Sequence, residues 1–152
     1  MPLLKVKDLD VYYYKTKVVS NVSFEIKRGE VFALVGESGC GKTTIANAIL
    51  RILPEIASTG KNSSILYYKT ESEIIDLLKV PEDVLSKTIR WREISMVFQG
   101  AQNSLNPTLK VKDHFIETAK AHGIKDKNKE YLIVDINLSC MTCKRILSLC
   151  IK

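Results

Sequence analysis

The segment Gly36-Glu37-Ser38-Gly39-Cys40-Gly41-Lys42-Thr43 constrains this chain more than any other, because it satisfies G-x4-G-K-[ST] at every fixed position. Glycines at these places let backbone N–H groups turn inward around phosphate oxygens with no Cβ in the way. Lys42 is then placed to contact the β- and γ-phosphates and the Thr43 hydroxyl to ligate magnesium, while Thr44 offers a further hydroxyl toward the α-phosphate. A helix starting at this point adds the positive end of its dipole. The motif carries meaning only between a strand and a helix, and both are expected here. Residues 31–35 form a continuous apolar run, as in a strand buried on both faces of a sheet. Residues 42–53 set Ile45, Ala46, Ala48, Ile49, Ile52 and Leu53 on one side of a helix that Pro54 stops. A structural glycine loop is the other reading of the same residues. The flanking pattern favours an α/β fold that binds ATP or GTP with Mg2+ through Gly36, Glu37, Ser38, Gly39, Cys40, Gly41, Lys42, Thr43 and Thr44.

Elements on either side follow from periodicity. Residues 6–14 and 18–26 are rich in β-branched and aromatic types, 20–26 alternate polar and apolar, and Lys27, Arg28 and Gly29 supply a turn. They predict two antiparallel strands leading into the strand at 31–35. Residues 58–64 are turn-like, 65–68 suit a short strand, and Pro81 before Glu82 and Asp83 suits a helix start. A further strand is expected over 94–98, a loop at Asn103, Asn106 and Pro107, and a helix over 111–122 with Phe115, Ile116 and Ala119 inward. The sequence shows no internal repeat or low-complexity tract.

Composition narrows the class. At 152 residues and 45% hydrophobic, the chain suits one globular domain of ordinary size. Its formal charge of +6 comes from lysines spread from Lys5 to Lys152, and no window packs them as a nucleic-acid arm would, so no nucleic-acid partner is expected. No uninterrupted apolar run approaches the ~18 residues that cross a bilayer. The amino terminus MPLLKVKDLD lacks the apolar stretch of a secretory signal, so a cytosolic chain is expected. Cys140, Cys143 and Cys150 crowd the carboxyl terminus while Cys40 lies in the glycine loop, which fits a reducing compartment. Cys140-Met141-Thr142-Cys143 has redox or zinc spacing, yet no second pair or histidine cluster completes a site, and free thiols are the reading. His114 and His122 read as helix-surface residues.

Taken with its flanks, VSFEIKRGEVFALVGESGCGKTTIANAILRIL is similar to the start of an ABC-transporter ATPase. A second stretch, ISMVFQGAQNSLNP, resembles the Q-loop of the oligopeptide, dipeptide and nickel importer branch of that family, where an FQ pair is followed by a polar stretch ending in LNP. The resemblance covers residues 4 to about 123. It implies a P-loop NTPase of ABC ATPase type, an α/β fold whose mixed sheet carries an antiparallel β subdomain. It implies that the Gln99 amide touches the magnesium shell and positions the attacking water, while its loop senses the membrane subunits. Without the resemblance Gln99 would read as a solvated loop amide. The resemblance makes Lys42 and Gln99 the catalytic candidates and Thr43 and Gln99 the magnesium candidates. It also implies an aromatic residue stacking on adenine, and Tyr12, Tyr13 and Tyr14 stand where it belongs. Alternation from Leu9 and Val22 favours Tyr13, leaving Tyr12 and Tyr14 as packing or edge residues.

The family's later motifs are missing after Gly123: no LSGGQ helix, no strand ending in Asp-Glu, no switch histidine. Tyr131-Leu132-Ile133-Val134-Asp135 imitates an apolar strand ending in aspartate, but Ile136 stands where the catalytic glutamate belongs. Arg145-Ile146-Leu147 faintly resembles the segment before LSGGQ. The division expected is 1–123 as the amino-terminal part of an ABC ATPase domain and 124–152 as a divergent or truncated tail, with the carboxyl-terminal half of the fold absent. A tail that folds on the core, making a small protein in its own right, stays open beside truncation or a frameshift. The leading expectation is an ATP-binding importer subunit, peripheral on the cytoplasmic face of the membrane. Its partners would be a second ABC ATPase subunit and, through the Q-loop, the membrane subunits. It binds ATP and Mg2+ to drive uptake of peptides or a similar solute, but turns ATP over poorly alone. The competing expectation is a non-hydrolysing nucleotide-binding module acting through a protein partner. A P-loop kinase is a third reading, disfavoured because it has no use for the LNP loop.

Overall fold

A computed structural model describes residues 1–98, 106–121 and Gly123. Met1–Val97 lie in one compact unit, and the described residues from Phe98 onward lie in a second.

In the first unit, β1 (Pro2–Tyr13) and β2 (Thr16–Lys27) form an antiparallel hairpin closed at Tyr13 and Thr16, with Tyr14 in the turn at φ 54°. Both strands are longer than the residue pattern predicts but fall in the expected places. The pairing slips between Val6 and Leu9, where Asp8 takes φ 47°. This bulge has a packing consequence, because side chains alternate faces along a strand and one extra residue reverses the phase. Even-numbered Leu4 and Val6 and odd-numbered Leu9 and Val11 are therefore all buried on the core face.

β1 is also the centre of the sheet. β4 (Ser64–Tyr68) pairs with its first half and β3 (Ala57–Thr59) with its last three residues, while β5 (Ile74–Asp76) extends β4. Every ladder among the described residues is antiparallel, and the parallel bridge Arg90↔Ile94 is isolated. Helix α1 (Lys42–Leu50) lays Ile45, Ala46, Ala48, Ile49 and Leu50 into the same core as β1. The chain then runs through α2 (Glu82–Val84) into a π-helical turn, Leu85–Ile89, whose Leu85 and Ile89 are buried. Pro81 stands immediately before α2, as expected of a residue with a fixed φ and no N–H.

Three expectations are corrected. Residues 31–35 enter no ladder: Phe32 and Leu34 pack against the core while Val31 and Val35 are 96% and 93% exposed. Residues 94–98 behave alike, with Ile94 and Met96 buried and Val97 exposed, and no strand forms. An apolar run becomes a doubly buried strand only where other strands flank its backbone and layers cover both faces. Among the described residues neither segment has such neighbours. The predicted helix over 42–53 stops at Leu50 because Arg51 turns left-handed, φ 53°, and its N–H and that of Ile52 bond back to the Ala48 and Asn47 carbonyls. Ile52 and Leu53 remain half-buried against the core without helical geometry.

The second unit contributes helix α3 (Val111–Ala121), opened by an Asn106 side chain that accepts from both the N–H and the hydroxyl of Thr108. Ala119 is buried and Phe115 and Ile116 are half-buried, matching the predicted inward face.

Candidate phosphate-binding loop at the start of the first helix

The loop from Gly36 to Gly41 is shaped by two left-handed glycines, Gly39 at φ +83° and Gly41 at φ +94°. Gly41 is the N-cap of α1, and a Cβ there would meet Val19 Cγ2 at 3.1 Å in a backbone conformation that side chains disfavour. The Cys40 N–H bonds to the Glu37 carbonyl at 3.3 Å, and the first helical bond runs from Ile45 to Gly41 at 2.9 Å. No side chain caps α1, and no acidic residue stands in its first turn. Its opening N–H groups are therefore not taken by the protein's own carboxylates, which is the condition under which a helix start receives an anion.

Lys42 is 9% exposed, and its ammonium is folded back over the loop. Nζ donates to the carbonyls of Glu37 at 2.7 Å and Gly36 at 2.9 Å, and lies 3.3 Å from Cys40 Sγ. Burying an ammonium is costly unless it is hydrogen-bonded, and these carbonyls meet that need. A phosphate would offer the same ammonium a negatively charged acceptor in place of neutral ones. Thr43 is exposed at the helix start and Thr44 is half-buried. Lys42, the Thr43 hydroxyl and the uncapped helix start thus make a donor set suited to a polyphosphate. Among the described residues no group of three His, Cys, Asp or Glu is gathered for a metal. An ion at Thr43 would accordingly be carried by the phosphates, the usual situation for Mg2+.

The three tyrosines part ways. Tyr13 is half-buried against the core cluster, while Tyr14 is 77% exposed at the hairpin turn. Tyr12 donates to Asp10 Oδ2 at 3.4 Å, and Lys17 Nζ lies 5.3 Å from its ring centroid. The structure thus gives Tyr12 an occupation of its own in a network centred on Asp10. That carboxylate also accepts from Lys17 at 2.9 Å and from the backbone N–H of Asn21 at 2.8 Å, where the pairing slips between Leu9 and Val11. The Lys17 bond and then the Asn21 N–H hold the Asp10 carboxyl below the usual carboxylate range, and Asp10 raises Lys17 in turn. Ser63 ties the other side, accepting from Asp10 N–H and donating to the Asp8 carbonyl, both at 3.0 Å.

Gln99 and His122 lie outside the described residues, as do the 131–135 run and Cys140, Cys143 and Cys150. His114 is half-buried on α3, its ring Nε2 3.3 Å from the Asn106 carbonyl. Cys40 is a free, exposed cysteine.

Sequence reasoning missed one feature at the far end of α1. Arg90 donates from Nε and Nη2 to the Leu50 carbonyl at 3.1 and 3.0 Å and from Nη2 to the Arg51 carbonyl at 3.3 Å. Its Nη1 meets Glu82 Oε1 at 2.8 Å, and Arg51 reaches the other oxygen of the same carboxylate at 3.7 Å. Arg51 also donates to the carbonyls of Leu77 and Val80. Basic groups at a helix carboxyl terminus are a known preference, but a cap that lies 40 residues away leaves no local signal.

Comparisons with known proteins identify the family. A family model described as ABC transporter matches residues 19–146. A dipeptide transport ATP-binding protein of Caldanaerobacter subterraneus is 39% identical over 134 residues, covering 86% of this chain and 39% of that protein. An oligopeptide transport ATP-binding protein of Bacillus subtilis is 36% identical, covering 79% of this chain and 33% of its own length. A glutathione import ATP-binding protein of Pectobacterium atrosepticum is 30% identical, covering 82% and 20%. The chain therefore spans at most about two fifths of these curated relatives. No helix among the described residues is long and apolar enough to cross a membrane. With its glycine loop formed at the head of α1 and the match running over most of its length, the chain belongs to the ABC transporter family.

Proposed function

We propose that this chain is an ATP cradle of an ABC importer, binding Mg2+-ATP at residues 36–44. The observation that carries this reading is the buried Lys42 ammonium poised over an uncapped helix start. Lys42 holds the β- and γ-phosphates, the backbone of Gly36, Glu37, Ser38, Gly39, Cys40 and Gly41 wraps them, and Thr44 reaches the α-phosphate. Thr43 supplies the protein ligand to Mg2+, and Gln99 joins the magnesium shell and orients water. Bound Mg2+ neutralises phosphate charge. Tyr13 stacks on the adenine with the part of its ring that the core leaves uncovered.

The names of the relatives support a peptide or similar solute as cargo. By its family the chain would work with two partners, a second ABC ATPase subunit and the importer's membrane subunits, on the cytoplasmic face of the membrane. Residues 1–123 hold the nucleotide-binding part, and the family match runs on to residue 146. The 152 residues hold neither LSGGQ nor the Asp-Glu pair. Positioned water, a base and stabilisation of the transferring phosphoryl group are all needed for hydrolysis, so binding is the activity assigned to this chain by itself.

Titration calorimetry of the purified chain with Mg2+-ATP tests the reading. Saturable one-to-one binding, with AMP much weaker because it lacks the β- and γ-phosphates, is expected. Equal affinity for AMP and ATP, or no binding, overturns it. Steady-state hydrolysis at a rate normal for the family would remove the assignment to binding alone.

A further inference from the structure

The two ends of helix α1 do different work. Its start carries the phosphate loop, and its last carbonyls, Leu50 and Arg51, accept from the planar guanidinium of Arg90. Nine helical residues separate the two ends, about 14 Å at the usual rise. Arg90 is followed at once by a tight turn: Trp91 N–H bonds to the Ile94 carbonyl at 2.8 Å, and Trp91 is held at φ 63°. The Ile94 N–H bonds in turn to Ile89 at 3.1 Å. Gln99 follows Ile94 by five positions in the sequence. A single side chain thus joins the helix that begins at the phosphate loop to the turn that opens the Q-loop segment.

We propose that Arg90 is a positioning residue that transmits nucleotide occupancy of the phosphate loop to the Trp91–Ile94 turn. The proposal rests on the nucleotide reading given above. A ligand shifts a conformational equilibrium only by interacting differently with its two states. Here the difference would arise at Lys42, whose ammonium bonds to the Glu37 and Gly36 carbonyls and must yield part of that bonding to a phosphate. The loop rearranges, and α1, which starts at Lys42, moves as one piece because its backbone bonds are internal. At the far end a fork of fixed geometry follows the carbonyls it holds, as a flexible ammonium would not. Glu82 steadies that fork from the other side by pairing with both Arg90 and Arg51.

Trp91 is the chain's one tryptophan, so its emission reports on this turn directly. In the 152-residue chain, Trp91 fluorescence is followed during a Mg2+-ATP titration, with calorimetry giving affinity independently. The wild type is expected to change emission with the calorimetric midpoint. In R90M the response is expected to vanish while ATP affinity stays within about threefold. R90K, which keeps the charge but not the fork, should give a reduced response. E82Q leaves the Leu50 and Arg51 bonds in place and should retain it, and circular dichroism checks that each variant is folded. An unfolded R90M leaves the decision to R90K, where a full wild-type response overturns the proposal. ATP binding without any Trp91 response in the wild type, or a full response in folded R90M, also overturns it while leaving the nucleotide reading intact. Absence of ATP binding overturns both.

Discussion

The Lys42 Nζ donates a 2.7 Å hydrogen bond to the carbonyl oxygen of Glu37, five residues earlier in the same loop. The loop thereby holds its own cation in the place where the family motif assigns it to phosphate. In K42M the loop keeps its glycines but loses that charge. Charge-assisted hydrogen bonds contribute about 1.5–3 kcal/mol each, so Mg2+-ATP affinity should fall by at least roughly tenfold. Calorimetry measures the loss, and an unchanged far-ultraviolet dichroism spectrum separates it from unfolding.

Gly41 and Gly39 are both left-handed, but they differ in surroundings. A Cβ at Gly41 would press on Val19 Cγ2 at 3.1 Å, whereas one at Gly39 would meet nothing within 4 Å. G39A should therefore cost only the left-handed backbone penalty, about 1 kcal/mol, and G41A about 2 kcal/mol because Val19 must also shift. Urea denaturation of the two variants checks the order.

Val35 and Ile49 test the correction made to residues 31–35. Ile49 is 1% exposed in the core, so I49A should destabilise by about 3 kcal/mol. V35A removes methyls from an exposed position and should stay within about 0.5 kcal/mol. A cost for V35A comparable to that of I49A in denaturant titrations would place Val35 in a doubly buried strand after all.

Asp10 gives the hairpin an acid-sensitive tie. Its carboxyl is held below the ordinary value by Lys17 and by the Asn21 N–H. A group with a depressed folded pKa contributes stability above its unfolded pKa and loses it as pH falls through the folded one. The advantage of the wild type over D10N should thus be full at neutral pH and shrink as pH drops below the usual carboxylate range. Lys17, raised by the same pairing, adds stability that persists below its unfolded pKa and fades only when alkali passes the folded one. Thermal melts across acid pH, repeated at high salt to screen this exposed pair, measure the effect.

The glycine loop and the start of α1 were legible because their determinants are contiguous: three glycines, a lysine and a threonine fix backbone and charge within eight positions. The hairpin of β1 and β2 was legible for a similar reason, through alternation and its turn. The bulge at Asp8 was not, since two phases of burial in one strand read locally as a blurred alternation. Tyr12 likewise has nothing in the sequence to show that Asp10 and Lys17 engage it.

What the amino-acid sequence determined by itself is the phosphate-binding motif, its helix and the family to which the chain belongs, all properties of short-range spacing. Tertiary structure alone decided that residues 31–35 leave Val31 and Val35 facing outward, because a strand is defined by neighbours distant in sequence. It also decided that α1 ends at Leu50 under the Arg90 guanidinium, a partner 40 residues away. The phosphate loop's chemistry is local, but how its helix is held is settled by contacts that only folding brings together.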